Sequence, residues 1–95
     1  KYQKPILITE NGVADDRDEL RQEWIKATIV AIQRAMGDGV DVIGYLHWSL
    51  MDNFEWAFGK WPRFGLVAID YKTGERTLRP SAAWFGRVIK KLRGI

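Results

Sequence analysis

The pattern of apolar and polar positions in the first half of the chain predicts a strand, a helix and a second strand. Residues 6–9, ILIT, are apolar on both faces, as in a buried parallel strand. Residues 18–36 repeat apolar side chains at helical spacing, and GDG at residues 37–39 ends that helix. Residues 40–50 form another apolar run. This order predicts a βαβ unit with parallel strands.

The helix predicted over residues 18–36 has one apolar stripe and an acidic start. The stripe that we expect to face the core consists of Leu20, Trp24, Ile25, Thr28, Ile29, Ile32 and Met36. The charged side chains that lie mostly off this stripe are Glu19, Arg21, Lys26 and Arg34. Three acidic residues are expected to cap the helix and complement its dipole: Asp15, Asp16 and Asp18.

The second half of the chain predicts an irregular segment, a hairpin and a final helix. Residues 51–63 show no regular period, residues 64–79 predict a hairpin with its turn at 72–74, and Pro80 opens a helix that reaches residue 92. Two parallel strands and two helices leave strand edges and sheet faces uncovered. The chain also begins without an initiator Met. We therefore expect a slice of a larger parallel α/β fold.

Composition narrows the classes of protein. With 95 residues the chain suits one small domain, and its net charge of +3 is mild. The basic residues near the end, Lys90, Lys91 and Arg93, fit the last turns of a helix better than a nucleic-acid patch. The absence of Cys excludes disulfides and thiolate metal sites and favours a reducing, cytoplasmic location. No apolar run is long enough to span a membrane.

Candidate chemistry lies where the two predicted strands end, because parallel α/β folds place their sites at the carboxyl ends of strands. Glu10 and Asn11 end the first strand. The second strand and its loop end in Trp48, Ser49, Asp52, Asn53, Glu55 and Trp56. Carboxylates accept hydrogen bonds from sugar hydroxyls, and an indole face covers the apolar C–H surface of a pyranose. The cluster therefore indicates a sugar site.

Each of these residues also has a purely structural interpretation. Glu10 could cap a helix or form an ion pair, since a carboxylate at the top of a buried strand needs a partner or a use. Trp48 and Trp56 could fill a core, and Glu55 could anchor its own loop. His47, inside a predicted strand, is more typical of a core histidine than of a catalytic one.

The motifs ITENG, residues 8–12, and GYLHWSLMDNFEWAFGKWPRFGL, residues 44–66, closely resemble the C-terminal part of glycoside hydrolase family 1, the β-glucosidase and β-glycosidase family. The resemblance covers essentially the whole chain. It implies the fold class α/β, with residues 1–95 as the C-terminal quarter of a (β/α)8 TIM barrel. The chain would hold strands seven and eight with their helices, as one incomplete segment of a single catalytic domain.

The resemblance also implies roles for individual residues. Glu10 corresponds to the catalytic nucleophile, and Trp48 to the tryptophan that forms the floor of the glycone subsite. Glu55 is similar to the carboxylate that binds the O4 and O6 hydroxyls, and Trp56 to the indole that donates to O3. Phe64 matches an aromatic residue that lines the same subsite. Asn11 and Gly12 complete the motif and are expected to shape the turn that presents Glu10.

Two branches of the family are excluded by residues that depart from their patterns. Members that act on 6-phosphorylated sugars carry Ser, Lys and Tyr where this chain has Glu55, Pro62 and Phe64. Glu55 would also repel a phosphate dianion. Plant thioglucosidases lack the nucleophilic carboxylate that Glu10 supplies. The resemblance therefore implies an unphosphorylated β-glycoside or oligosaccharide as substrate.

The implied reaction is retaining hydrolysis, in which Glu10 forms a covalent glycosyl-enzyme and a second carboxyl group acts as acid and base. That second group belongs to an Asn-Glu-Pro motif, which this chain lacks. We expect Asp52 to brace its own loop and not to act as this second carboxyl group. The remaining N-terminal barrel segment is the expected partner, the isolated chain is expected to be inactive, and no cofactor or metal is expected. The alternatives are a carbohydrate-binding module and a structural fragment that only completes the barrel.

Overall fold

A computed structural model describes residues 3–94 of the chain. Its elements, in chain order, are β1 (Ile6–Ile8), α1 (Arg21–Gly37), β2 (Val42–Tyr45), a short 3₁₀-helix (Trp56–Phe58), β3 (Val67–Ile69), β4 (Arg76–Leu78) and α2 (Pro80–Arg93). Strands β1 and β2 pair in parallel, and β3 pairs with β4 in antiparallel fashion. The predicted βαβ unit and hairpin are both confirmed.

Strand β2 is shorter than predicted, ending at Tyr45 instead of residue 50. Its partner β1 has only three residues, so the regular ladder ends where β1 ends. Beyond that point the chain turns to the hairpin. The backbone N–H of Leu66 donates to the carbonyl of Ser49 at 2.9 Å, and Val67 donates to Leu50 at 2.8 Å. The segment after β2 thus runs beside β3.

Helix α1 begins at Arg21, three residues later than predicted. Asp18 has a φ of 59°, a left-handed conformation that a helix does not continue through. A carboxylate oxygen of Asp15 accepts hydrogen bonds from the N–H groups of Leu20 (2.7 Å) and Arg21 (3.1 Å), so the predicted capping by Asp15 is confirmed. The helix ends at Gly37 as predicted, and Gly39 follows with a φ of 92°.

The hairpin and α2 follow the sequence closely. The hairpin turn closes with a hydrogen bond from the N–H of Gly74 to the carbonyl of Asp70 at 2.6 Å. Pro80 occupies the first turn of α2, and the last turn carries Lys90, Lys91 and Arg93, where their charges complement the helix dipole. In the part of the chain that the structure describes, neither helix combines the length and apolar character needed to cross a membrane.

Burial departs most from the sequence analysis. Ile25 of the predicted stripe is fully covered, while Leu20 (63%) and Met36 (51%) of the same stripe remain exposed. The first strand was expected to be buried, yet Leu7 is 48% exposed. Arg21, which lies off the apolar stripe, is nevertheless completely buried. A two-stranded sheet covers only part of the apolar stripe of a helix. Complete burial of the apolar residues of β1 and α1 would need neighbouring elements that residues 3–94 do not supply.

The overall dimensions agree with this picture. The accessible surface is 7252 Å², whereas a compact monomer of the same mass exposes about 5,600 Å². The radius of gyration is 15.0 Å, against about 12 Å for a compact domain of this length. The molecule therefore has an ordered arrangement of elements without a closed hydrophobic core.

Candidate functional site

The two polar clusters predicted from the sequence follow strands that lie side by side. Because β1 and β2 are parallel, their carboxyl ends point to the same edge. Pairing continues past the regular ladder: Leu46 N–H donates to the carbonyl of Ile8 at 2.8 Å, and Trp48 N–H donates to the carbonyl of Asn11 at 2.9 Å. The backbone that follows Glu10 is therefore bonded directly to the backbone of Trp48.

Glu10 is exposed at this edge. Within residues 3–94 its carboxylate accepts no hydrogen bond and forms no salt bridge. The helix-cap and ion-pair interpretations of Glu10 are therefore not realised in the described part of the chain. Its carboxylate is free to meet a ligand or another segment of protein.

Trp48 and Glu55 are brought together. The indole N–H of Trp48 donates to a carboxylate oxygen of Glu55 over 3.4 Å, a long hydrogen bond between two half-buried side chains. The backbone N–H of Glu55 donates to the carbonyl of Gly59 at 2.7 Å, which holds the start of the 3₁₀-helix. The pair combines an aromatic surface with an acceptor for hydroxyl groups.

Trp56 and Phe64 occupy different environments. Trp56 is 83% exposed, has a φ of 51°, and packs its ring edge-to-face against Phe54 with centroids 5.8 Å apart. Phe64 is half-buried, and its carbonyl accepts a hydrogen bond from the N–H of Ser49 at 3.1 Å. Phe64 is thus anchored beside the end of β2, whereas Trp56 stands open to solvent.

Asp52 braces its loop, as expected. Its side chain is fully buried and accepts from the guanidinium of Arg79 (2.9 Å) and from the N–H groups of Gly65 (2.9 Å) and Ile69 (3.2 Å). Burial by itself would raise the pKa of Asp52, but these hydrogen bonds and the charge of Arg79 outweigh it and lower the pKa. Asp52 is therefore kept ionised, and its carboxylate holds the loop together.

The remaining acidic residues of the β1–α1 loop do not cap α1, which corrects the sequence prediction. Asp18 pairs with Arg21 and accepts hydrogen bonds from the N–H (2.8 Å) and hydroxyl (2.7 Å) of Ser81, so it caps α2. Asp16 forms a salt bridge with Arg79 at 3.2 Å. The Asp18–Ser81 and Asp16–Arg79 contacts each join residues 63 positions apart in the chain, and no local pattern in the sequence indicates them.

Arg21 and Arg79 are site-supporting residues that the sequence analysis missed. Arg79 donates to Asp52 and also to the carbonyl of Gly65 at 2.6 Å. Arg21 donates to the carbonyl of Arg63 at 2.7 Å. Together they tie the loop after β1 to the loop after β2. The signal available in the sequence was a pair of Arg residues at helix starts facing an Asp-rich loop.

His47 follows β2 by two residues and packs against Phe85 of α2. Its Nδ1 lies 3.3 Å from the hydroxyl of Tyr45, and its ring meets Phe85 edge-on at 6.3 Å. Burial, assisted by the nearby charge of Arg21, lowers the pKa of His47 to about 4. Its Nε2 is buried without a hydrogen-bond partner in the described chain. His47 was predicted to be a satisfied core histidine inside a strand; it instead lies two residues beyond β2, is half-buried and keeps one ring nitrogen unsatisfied.

The described residues do not form a metal-binding site. Between residues 3 and 94, His, Asp and Glu side chains form no group of three or more that could hold a metal ion. The arrangement offers instead a free carboxylate, an indole–carboxylate pair and a braced loop. This combination suits recognition of a polyhydroxylated ligand with an apolar face.

Comparison with known proteins gives a consistent result. A model of glycosyl hydrolase family 1 matches residues 1–93. The chain is 46% identical over 95 residues to a beta-galactosidase of Sulfolobus acidocaldarius, covering 100% of this chain and 19% of that protein. It is 44% identical over 94 residues to a 1,4-beta-D-glucan glucohydrolase of Thermotoga neapolitana, covering 90% of this chain and 21% of the relative.

The solved structures agree. A hyperthermophilic beta-glucosidase from Pyrococcus furiosus matches with a TM-score of 0.92 and 49% identity, over 95% of this chain and 19% of that one. The chain spans about a fifth of the length of the relatives it matches. Its structural neighbours are β-glycosidases with the TIM-barrel fold. The ITENG and WSLMDNFEW motifs, the fold match and the family model together show that this chain belongs to glycoside hydrolase family 1.

Proposed function

We propose that this chain supplies the nucleophile and the glycone-binding residues of a retaining β-glycosidase. In this proposal β1 and β2 are strands seven and eight of a (β/α)8 barrel, and residues 1–95 are its C-terminal segment. The observation that carries the proposal is the hydrogen bond from Trp48 to Asn11, which sets the strand end bearing Glu10 beside the Trp48–Glu55 pair. A nucleophile and a sugar platform thus share one edge.

The chemistry follows from the exposure and bonding of these groups. Glu10 carries no bonded partner within residues 3–94, so its carboxylate is available to attack an anomeric carbon. The indole of Trp48 would cover the apolar face of the sugar, and Glu55 would accept its hydroxyls. Trp56 and Phe64 would complete the subsite.

The acid/base carboxyl group must come from elsewhere. Retaining enzymes place it roughly 5–5.5 Å from the nucleophile. Asp52 is unsuited because it is buried and engaged by Arg79, and Glu55 is engaged by Trp48. We infer that another barrel strand provides it. The surface that exceeds that of a compact monomer supports this, since the missing strands would cover it.

The substrate is proposed to be an unphosphorylated β-glycoside. Glu55 is half-buried beside Trp48, where its negative charge would oppose a phosphate dianion. Pro62, which stands where 6-phosphate-specific members carry Lys, offers no cation. Relatives named for galactosidase and glucan glucohydrolase activities suggest that gluco- and galacto-configured sugars should both be tried.

The test compares the isolated chain with an assembled protein, defined as this chain joined to the segment of a family relative that supplies the other strands. On a chromogenic β-glucoside, we expect turnover by the assembled protein and none by the isolated chain. An activated 2-fluoro glycoside should label Glu10 covalently in the assembled protein, as peptide mass spectrometry would show.

Glu10→Gln is the matched variant, because it keeps the size and most contacts of the side chain while removing the nucleophile. It should abolish labelling and lower turnover by at least about 1,000-fold. Efficient turnover by the isolated chain would contradict the division of the site. Full activity of Glu10→Gln in the assembled protein would favour a barrel-completing fragment, and sugar binding without labelling of Glu10 would favour a binding module.

A further inference from the structure

We propose that Asn11 is a positioning residue that sets the aim of Glu10 by joining the end of β1 to both α1 and β2. This inference rests on the proposed nucleophilic role of Glu10. It assigns to the Asn11 side chain a task beyond shaping a turn. Three groups from two elements converge on one oxygen atom, and that oxygen belongs to the residue next to the nucleophile.

The contacts of the Asn11 carboxamide are specific. Its Oδ1 accepts from the indole N–H of Trp24 at 3.0 Å, from the hydroxyl of Tyr45 at 3.1 Å and from the hydroxyl of Thr28 at 3.1 Å. Trp24 and Thr28 lie one turn apart on α1, and Tyr45 is the last residue of β2. The hydroxyl of Thr28 also reaches the carbonyl of Trp24, so its one hydrogen is shared. The hydroxyl of Tyr45 also lies 3.3 Å from His47 Nδ1, so the indole N–H of Trp24 is the donor committed to Asn11 alone.

The aim of Glu10 depends on the backbone that carries it. Among the described residues nothing bonds to its carboxylate, so its direction follows from the backbone at residues 10 and 11. The Asn11 side chain ties that backbone to the helix, and the Asn11 carbonyl ties it to Trp48 N–H at 2.9 Å. A displacement of about 1 Å at a reacting group can cost about 100-fold in rate.

Gly12 extends the connection to Trp48. A Cβ at Gly12 would lie 1.9 Å from the carbonyl oxygen of Trp48, so the two backbones touch in a way that only glycine permits. Asn11 and Gly12 together hold the strand end against the residue that carries the indole. The distance between nucleophile and sugar platform is thus set by two adjacent residues that bear no catalytic group.

The chemistry of the carboxamide suits this position better than its near relatives. Asparagine accepts hydrogen bonds without adding charge. Aspartate would keep the acceptor but place a second negative charge beside Glu10, where it would oppose an ionised nucleophile. Alanine would leave the indole of Trp24 and the hydroxyl of Tyr45 without their acceptor.

The experiment uses Asn11→Ala in the assembled protein and follows inactivation by an activated 2-fluoro glycoside together with steady-state kinetics. We expect the rate of labelling at Glu10 and kcat to fall by roughly 10- to 100-fold, with KM changed by less than about threefold. The NMR signal of the Trp24 indole N–H should shift in the same variant. Gln33→Ala, which removes a carboxamide from the exposed surface of α1, is the control and should change neither rate nor signal.

Tyr45→Phe and Trp24→Phe keep Asn11 and remove one donor each, so they test the inference even if Asn11→Ala fails to fold. Each should lower the labelling rate by about three- to tenfold, and each should add little to the effect of Asn11→Ala because they act through the same oxygen. The inference would be overturned if the folded Asn11→Ala variant were labelled at the wild-type rate. It would also be overturned if Tyr45→Phe and Trp24→Phe were both labelled at that rate. Absence of labelling in the active wild-type assembly would instead overturn the nucleophilic role of Glu10.

Discussion

Two regions of the molecule differ sharply in how complete they are. The ionic layer, formed by Asp18, Arg21, Asp52 and Arg79, lies between the loops and is buried and hydrogen-bonded within the chain itself. The open face is our term for the uncovered surface on both sides of the β1–β2 sheet; it includes the apolar residues Ile6, Leu7, Ile43 and Leu46, which are 46–63% exposed. In ordinary domains charged residues are exposed and such aliphatic residues are covered. Here the arrangement is inverted.

The difference shows which interactions this length of chain can satisfy. Ion pairs and hydrogen bonds are completed by a few atoms, and the loops after β1 and β2 bring those atoms together. A hydrophobic core needs a second layer over each sheet face, and a two-stranded sheet with two helices does not provide it. The ionic layer is therefore a finished local support for the site, whereas the open face requires further strands.

Removing Arg79 should have the largest effect on the ionic layer. Arg79→Met keeps the length of the side chain but removes the closest charged partner of the buried Asp52 carboxylate. We expect a loss of about 3 kcal/mol in the free energy of unfolding, at the low end for breaking a buried pair, because Arg63 still forms a salt bridge with Asp52 at 3.2 Å. The measurement is urea unfolding of the chain followed by circular dichroism.

Arg76→Met is the control, because Arg76 is an exposed arginine on β4 only three residues away. It should change the stability by no more than about 0.5 kcal/mol. In the double variant, Asp52→Asn should recover part of the loss caused by Arg79→Met. Equal, additive losses from the two single variants would show that the ionic layer is not a coupled unit.

The pH dependence of stability should separate His47 from the ionic layer. The pKa of His47 is lowered to about 4 in the folded chain, so the unfolded chain binds more protons between pH 6.5 and about 4. Stability should therefore fall as the pH drops through that window, by at most about 3 kcal/mol. The measurement is the urea midpoint at several pH values.

His47→Asn, which keeps a nitrogen near Tyr45, should flatten the curve above pH 4. Asp18 and Asp52 behave differently: burial opposes their charge, but their hydrogen bonds lower both pKa values. Their contribution is present above the ordinary Asp pKa near 3.8 and is lost only at lower pH. A curve for His47→Asn that matches wild type between pH 6.5 and 4 would contradict this assignment.

A charge on the open face should have the smallest effect on the chain and a large effect on assembly. Ile43 is 63% exposed, so Ile43→Lys should alter the unfolding free energy of the isolated chain by no more than about 0.5 kcal/mol. In the assembled protein the same lysine would be buried without a partner, and we expect loss of folded, active protein. Circular dichroism of the chain and activity of the assembly report the two effects.

Lys26→Ala, on an exposed part of α1, is the matched surface control and should leave both measurements unchanged. A stable, active assembly that carries Ile43→Lys would show that the open face remains in solvent. That result would remove the physical basis for treating the face as an interface with further strands.

The elements whose signals are local were predicted from the sequence. The βαβ unit, the hairpin with its turn at Gly74, and α2 with Pro80 in its first turn were all confirmed, as was membership of the family. The strand ends that carry Glu10 and Trp48 were predicted to share an edge, and they do. Their catalytic and binding roles stay predictions.

The contacts between distant parts of the chain were not predicted. Arg21 lies off the apolar stripe, yet it is buried against Asp18 and the carbonyl of Arg63. Asp18 was assigned to α1 and caps α2 instead. Helical periodicity reports which residues share a face, but it carries no information on which loop will return to cover that face.

The sequence by itself determined the kinds of elements, their order, the family and the placement of Glu10 at a strand end, because these depend on local spacing and short motifs. Only the tertiary structure decided that Asn11 gathers Trp24, Thr28 and Tyr45 around one oxygen, and that Arg79 unites the loops after β1 and β2. Both depend on chain segments that lie far apart in sequence and meet only when the parallel strands pair. Side-chain hydrogen bonds act over about 3 Å, so their partners are set by that meeting and not by spacing along the chain.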